Sequence, residues 1–305
     1  MNTMEATLMH RTLDTNGVSL HVATAGAEGA PLVMLLHGFP EYWGAWRQQV
    51  QPLVDAGWRV AVPDQRGYGE SQKPEGTGAY TLDTLADDVM GIAQALHAPR
   101  FCLVGHDWGG MVAWHLAARE PAAVERLAIL NAPHPATFFS YALTHPLQML
   151  RSTYVGFFQL RWIPETLLRA NNFALLQAAL THSSRPGTFG EDKLAGYRAA
   201  WAEPDALRAM LDWYRAMPLA RPRAEKIEAP VRIVWGDADS ALEPGLAQAA
   251  LRYCRNGHVV RLPRASHWLH HEEPDEVNAL LVEFLGEGRA AAAAAATESR
   301  SKNAR

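Results

Sequence analysis

The sequence predicts an α/β fold: a mostly parallel sheet with helices on both faces and a helical insertion late in the chain. Three observations carry this. Continuous apolar runs at 32–36, 59–62, 101–104 and 124–130 alternate with helical periodicity through the first half. Runs of that length without polar alternation fit strands buried on both faces. From about 136 to 222 the alternation stops, and helix formers and aromatics take over. The strand pattern then resumes at 231–235, so the first and third segments share one sheet.

The elements follow in order. Residues 8–14 and 18–24 alternate loosely around Asn16-Gly17, a strong two-residue turn signal, and read as a hairpin at a sheet edge. Pro31 opens the buried run Leu32-Val33-Met34-Leu35-Leu36, which stops at His37-Gly38-Phe39-Pro40. A helix over 43–56 leads to a strand over 59–62, and Pro63-Asp64-Gln65-Arg66-Gly67-Tyr68-Gly69 must be loop. Residues 81–96 have helical spacing; 101–104 form a strand and a helix follows from Met111. The strand at 124–130 ends at Asn131-Ala132-Pro133-His134-Pro135. After the insertion come the strand at 231–235, a helix over 243–254, a last strand at 258–262 and a closing helix over 274–285. The expected organisation is a core at 1–135, a helical cap at 136–222, the rest of the core at 223–287, and a low-complexity alanine-rich tail at 288–305.

Composition removes several classes of function. A net charge of −4 without a basic cluster argues against nucleic acid or anionic lipid as partner. No apolar run reaches membrane-spanning length. Met1 to His10 lacks the pattern of a signal peptide. Cys102 and Cys254 belong to no metal or redox spacing, so a reducing, cytoplasmic setting is expected. There is no metal-ligand cluster in the spacing and no dinucleotide fingerprint after the first strand, so neither metal nor cofactor is expected.

The chemistry centres on Gly105-His106-Asp107-Trp108-Gly109, between the strand at 101–104 and the helix after it. Small residues flanking one polar residue are the layout of a nucleophile elbow, a tight strand-to-helix turn that exposes its central side chain. Serine is the usual occupant; here it is Asp107. A carboxylate is poor at attacking a carbonyl and good at displacing a leaving group from saturated carbon, which gives a protein–substrate ester. The bland alternative is that Asp107 only caps the following helix. His37, Asp239 and His267 also follow strands, and ligands in open α/β sheets bind beyond the carboxyl ends of strands.

The order Asp107, Asp239, His267 is the nucleophile–acid–histidine order of α/β-hydrolases. The sequence resembles the epoxide hydrolase family of that fold. The resemblance rests on His37-Gly38-Phe39-Pro40-Glu41, Asp64-Gln65-Arg66-Gly67-Tyr68-Gly69, Gly105-His106-Asp107-Trp108-Gly109-Gly110, Leu211-Asp212-Trp213-Tyr214-Arg215, Tyr154-Val155-Gly156-Phe157-Phe158-Gln159 and Ser266-His267-Trp268. It implies Asp107 as nucleophile, His267 as general base, and Asp239 as the acid that orients it, with Asp237 as nearest competitor. A second acid position used by some relatives is Asn131 here, which is uncharged. The backbone N–H groups of Phe39 and Trp108 would form the oxyanion hole. His37 and His106 would pack beneath the site as buried scaffold. Tyr154 and Tyr214 would donate protons to an epoxide oxygen. The implied partners are a small apolar epoxide and water.

Rival functions share parts of this pattern. A haloalkane dehalogenase would use the same aspartate, with the Trp108 indole on the halide. Such enzymes usually carry asparagine where Phe39 stands and need no paired tyrosines. A haloacetate dehalogenase would want arginines beside Asp107, and a serine esterase would want serine there. A non-catalytic binding protein on this fold would tend to lose the nucleophile, acid or base, and this chain retains all three.

Overall fold

The computed structural model describes residues 7–219 and 223–287. The tail expected at 288–305, the first six residues and the junction at 220–222 lie outside the described residues.

Eight strands form one sheet in the order β1-β2-β4-β3-β5-β6-β7-β8. The strands are β1 (Met9–Thr15), β2 (Val18–Ala25), β3 (Leu32–Leu36), β4 (Arg59–Pro63), β5 (Phe101–His106), β6 (Val124–Leu130), β7 (Val231–Gly236) and β8 (Gly257–Leu262). β1 pairs antiparallel with β2, and β2 antiparallel with β4. The other pairings are parallel. β3 and β5 are buried at every residue, as continuous apolar runs require when both faces are covered.

Two apolar clusters lie on opposite faces. One holds Met34, Leu36, Leu103, Leu127 and Ile129 with α2 (Leu82–Ala95) and α3 (Asp107–Arg119). The other holds Val33, Leu35, Val104, Ala128 and Val234 with α1 (Arg47–Asp55) and a helix over 274–287. Alternate residues of one strand thus serve opposite clusters, which is the period-two geometry of a pleated strand. Residue 31 onward runs from β3 to β4 on one side, and the chain then crosses back to β5 on the other. This reversal sets the loops after β3 and β5 side by side, at the place where such sheets bind ligands.

Between β6 and β7 the chain is helical: α4 (Pro135–Thr144), α5 (Pro146–Arg151), α6 (Thr153–Phe158), α7 (Ile163–His182), α8 (Glu191–Ala202) and α9 (Ala206–Ala216). α7 is interrupted at Ala170, and Asn171, Asn172 and Phe173 take φ of 50°, 56° and 62°. Asparagine tolerates that region better than phenylalanine; Phe173 is held there in the core with its ring 5.8 Å from that of Trp201. α8 and α9 are tied down by indoles. Trp201 Nε1 donates to the Pro40 carbonyl at 2.6 Å and Trp213 Nε1 to the Arg66 carbonyl at 3.0 Å. The expected helix over 243–254 is shorter, α10 (Gly245–Ala250) with a 3-10 turn to Tyr253. A short helix, α11 (Leu269–Glu272), follows His267 and precedes the helix over 274–287.

Candidate active site

Asp107 is the first residue of α3, and its φ of 49° places it in the left-handed region. The turn is forced by close approach. A Cβ on Gly109 would lie 2.2 Å from the Leu36 carbonyl oxygen, so only glycine lets α3 start against the end of β3. A Cβ on Gly38 would lie 2.4 Å from both Cβ and Oδ1 of Asp107, so the carboxylate fills the space a side chain there would need.

The Asp107 side chain does not cap its own helix. The residue in the cap position is His106, without a side-chain cap bond, and Asp107 Oδ1 instead accepts the Phe39 N–H at 2.9 Å. The bland reading of Asp107 as a helix cap is therefore corrected. Oδ2 lies 3.7 Å from His267 Nε2. That is longer than a hydrogen bond and leaves room for the two groups to act in sequence on something between them.

His267 Nδ1 meets Asp239 Oδ2 at 2.7 Å. Asp239 is buried, and its other oxygen accepts the N–H groups of Ala241 at 2.7 Å and Leu242 at 2.9 Å. Burial works against its charge, but His267, Asn131 and these N–H groups outweigh it and hold the carboxyl below its ordinary range. Burial likewise works to lower the His267 pKa; the carboxylates of Asp239, Asp107 and Glu41 reverse this and push it up to about 9. Asp237, the competing acid, faces away and pairs with Arg261 at the surface.

Asn131 is the residue whose part the sequence concealed. Its Nδ2 donates to Asp239 Oδ2 at 2.6 Å, and its Oδ1 accepts the Gly236 N–H at 2.7 Å. The uncharged residue at the second acid position thus clamps the charged one to the end of β7. An amide that must both donate and accept was the available signal.

His37 and His106 lie fully buried beneath this edge. His37 Nε2 accepts the Gln65 N–H at 3.2 Å, and Gln65 Nε2 donates to the His37 carbonyl at 2.6 Å. His106 Nε2 donates to the His267 carbonyl at 2.9 Å, and its Nδ1 meets Glu41 Oε2 at 3.0 Å.

The two tyrosines come together from separate helices. The rings of Tyr154 on α6 and Tyr214 on α9 lie 5.9 Å apart, edge to face. Tyr214 also packs edge-on against Phe39 at 5.3 Å and Trp108 at 5.1 Å, the two residues that flank the Asp107 carboxylate. Gln159 Nε2 donates to the Tyr214 carbonyl at 2.9 Å, and Arg215 Nε to the Phe158 carbonyl at 3.1 Å. These bonds lock α6 to α9. Burial, then the neighbouring charge of Asp107 among others, pushes both phenol pKa values up, so both rings are neutral donors at pH 7. Tyr141, by contrast, stacks on His145, and Tyr253 on His134.

Residues 31–274 match the family model described as alpha/beta hydrolase fold. The chain belongs to that family. The AB hydrolase superfamily protein YfhM of Bacillus subtilis is 47% identical over 277 residues, covering 90% of this chain and 96% of that protein. Epoxide hydrolase 4 of Homo sapiens is 38% identical over 279 residues, covering 89% of this chain and 77% of that one. Among solved structures, an epoxide hydrolase from Bacillus megaterium in complex with an inhibitor matches with a TM-score of 0.84 at 30% identity, over 91% of this chain and all of that one. The protein is an epoxide hydrolase-like α/β hydrolase, and among its described residues no helix is long and apolar enough to cross a membrane.

Proposed function

We propose that this hydrolase converts an apolar epoxide and water to a vicinal diol through a covalent ester on Asp107. The observation that carries the reading is the pair of neutral phenols, Tyr154 and Tyr214, packed against the residues flanking Asp107. A phenol can hand a proton to an alkoxide as it forms.

The steps follow from the atoms. Asp107 Oδ2, free of the Phe39 bond, attacks a ring carbon. The carbon–oxygen bond of the epoxide breaks, its electrons go to oxygen, and a tyrosine O–H supplies the proton. His267 Nε2 then takes a proton from water, and the hydroxide adds to Asp107 Cγ. Oδ1, already receiving the Phe39 N–H, becomes the oxyanion, and Trp108 N–H is the second donor expected there. Collapse breaks the Cγ–Oδ2 bond, Oδ2 leaves as the diol's second hydroxyl with the proton held by His267, and the proton on the hydroxyl added to Cγ passes to the tyrosinate, which restores both the carboxylate and the phenol. Asp239 steadies the imidazolium while it lasts. The helices between β6 and β7 act as a cap that supplies the acids and closes over the nucleophile.

The haloalkane reading is weaker because Phe39 offers no side-chain donor to a halide. One preparation tested on styrene oxide, aliphatic epoxides and 1-bromoalkanes decides between them. Diol without halide release is expected; halide release with epoxides untouched would overturn the proposal.

A further inference from the structure

A second acid–histidine cluster lies behind the site, where the expected mechanism does not use it as a whole. Glu41, His270 and His271 are buried, and one donor atom from each lies within 4.8 Å of the others. His271 Nε2 is 2.9 Å from Glu41 Oε1, and His270 Nε2 is 3.7 Å from Glu41 Oε2. His270 is fully buried, yet neither of its ring nitrogens makes a hydrogen bond, and its Nε2 lies 3.7 Å from the carboxylate. A buried imidazole with both nitrogens unpartnered is costly, and His270 is the one described residue with two such atoms.

We propose that Glu41, His270 and His271 form a binding site for a divalent cation of the zinc class. Two imidazole nitrogens and one carboxylate oxygen are a known donor set for tetrahedral zinc, with bonds of about 2.0–2.1 Å that put adjacent ligand atoms about 3.3 Å apart. His271 Nε2 approaches Oε1 and His270 Nε2 approaches Oε2; with one donor atom of each residue already within 4.8 Å of the others, a turn of the carboxylate is what brings one oxygen and both nitrogens onto a single ion. The ligand forms are accessible. His271 Nδ1 has no partner, so its ring can carry the proton there and turn a bare Nε2 to the metal.

The surroundings suit a ligand carboxylate. Tyr197 Oη donates to Glu41 Oε1 at 2.9 Å and His106 Nδ1 meets Oε2 at 3.0 Å, outer contacts of the kind that orient metal-binding groups. Entry is available through a cavity of about 60 Å³ bordered by Tyr42, Gln48, Lys193, Tyr197 and His271. The site is assembled by the fold: Glu41 follows β3 while His270 and His271 sit on α11. No sequence spacing reveals it.

The test uses the full chain, stripped with a chelator and titrated with Zn²⁺ and Co²⁺. Calorimetry and elemental analysis should give one equivalent per chain, and bound Co²⁺ should show the intense visible bands of a four-coordinate ion. His270→Asn and His271→Asn should each weaken binding by more than the roughly 10–100-fold that loss of an outer contact costs; the exposed His145→Asn should not. X-ray absorption of the cobalt-loaded wild type should show two imidazoles in the coordination shell, which requires no variant to fold. Absence of stoichiometric binding, unchanged affinity in folded His270 and His271 variants, or a shell without imidazole would each overturn the proposal. None of these readings depends on turnover of an epoxide.

Discussion

At the sheet edge, Asp107, Asp239 and His267 are held by backbone. Asp107 is fixed by the Phe39 N–H and by a turn only glycine neighbours permit; Asp239 is fixed by two N–H groups and an amide. In the helices between β6 and β7, Tyr154 and Tyr214 are held by rings and by each other. The first arrangement places charges to within a hydrogen-bond length. The second places neutral donors on elements that pack onto the sheet through Trp201 and Trp213. The difference suits the proposed chemistry, because the nucleophile and base must be set before substrate arrives, while proton donors need only meet an oxygen that moves.

The comparison breaks most sharply at Asp107. Asp107→Ala should lower turnover by about 10⁶-fold, the scale of losing a nucleophile, and leave no adduct in intact-mass spectra. His267→Gln should lower turnover by about 10⁴-fold, the upper range for a general base, while a mass increase equal to the epoxide accumulates on the protein. A His267 variant that turns over normally, or shows no adduct with epoxide present, would sever the two halves of the mechanism. Removing one phenol should cost less, since its partner remains. Tyr154→Phe and Tyr214→Phe are each expected to slow ester formation by about 10²-fold, and the double variant by far more, as read by single-turnover mixing. Equal losses at all four positions would erase the distinction between the two regions.

Smaller effects sharpen it. Asn131→Ala leaves the Gly236 N–H without its partner and takes one of two bonds from Asp239 Oδ2, which keeps His267; this should destabilise the fold by about 1–3 kcal/mol in a denaturant titration. Asp107→Asn removes a negative charge 3.7 Å from His267 Nε2. A carboxylate favours the imidazolium, so its loss should bring the His267 pKa down from about 9 toward the ordinary value of ~6.5, as followed by NMR. In the proposed mechanism, esterification of Asp107 neutralises the same charge. The base therefore becomes easier to deprotonate at the step that needs it neutral, and an unmoved resonance in the variant would remove that coupling.

The strands, their order of use and the three residues at the sheet edge were readable because each rests on local pattern. Buried runs mark β3, β5 and β6, and Asp107, Asp239 and His267 each lie within a few residues of a strand end. The resemblance favours Asp239 over Asp237; the fold supplies the physical difference, since the loop turns Asp239 to His267 and Asp237 to Arg261. The interruption of α7 carries little signal beyond Asn171-Asn172, because a left-handed Phe173 is sustained only by the packing around it. Glu41 and His271 meet although they stand 230 positions apart, a proximity that no periodicity encodes. Gly38 could be read as part of a loop, but not as the residue whose missing side chain makes room for the Asp107 carboxylate.

Asn131 carries one more consequence. With φ of 38° it sits at the turn leaving β6 and bridges the last residue of β7 to Asp239. A carboxylate in that place would gain and lose protons with its surroundings, and its grip on the neighbouring acid would vary with them. An amide has no such titration in the range where proteins fold. The brace on Asp239 is therefore as firm in weak acid as in weak base, and any change in the site with acidity must come from the groups it holds rather than from the brace.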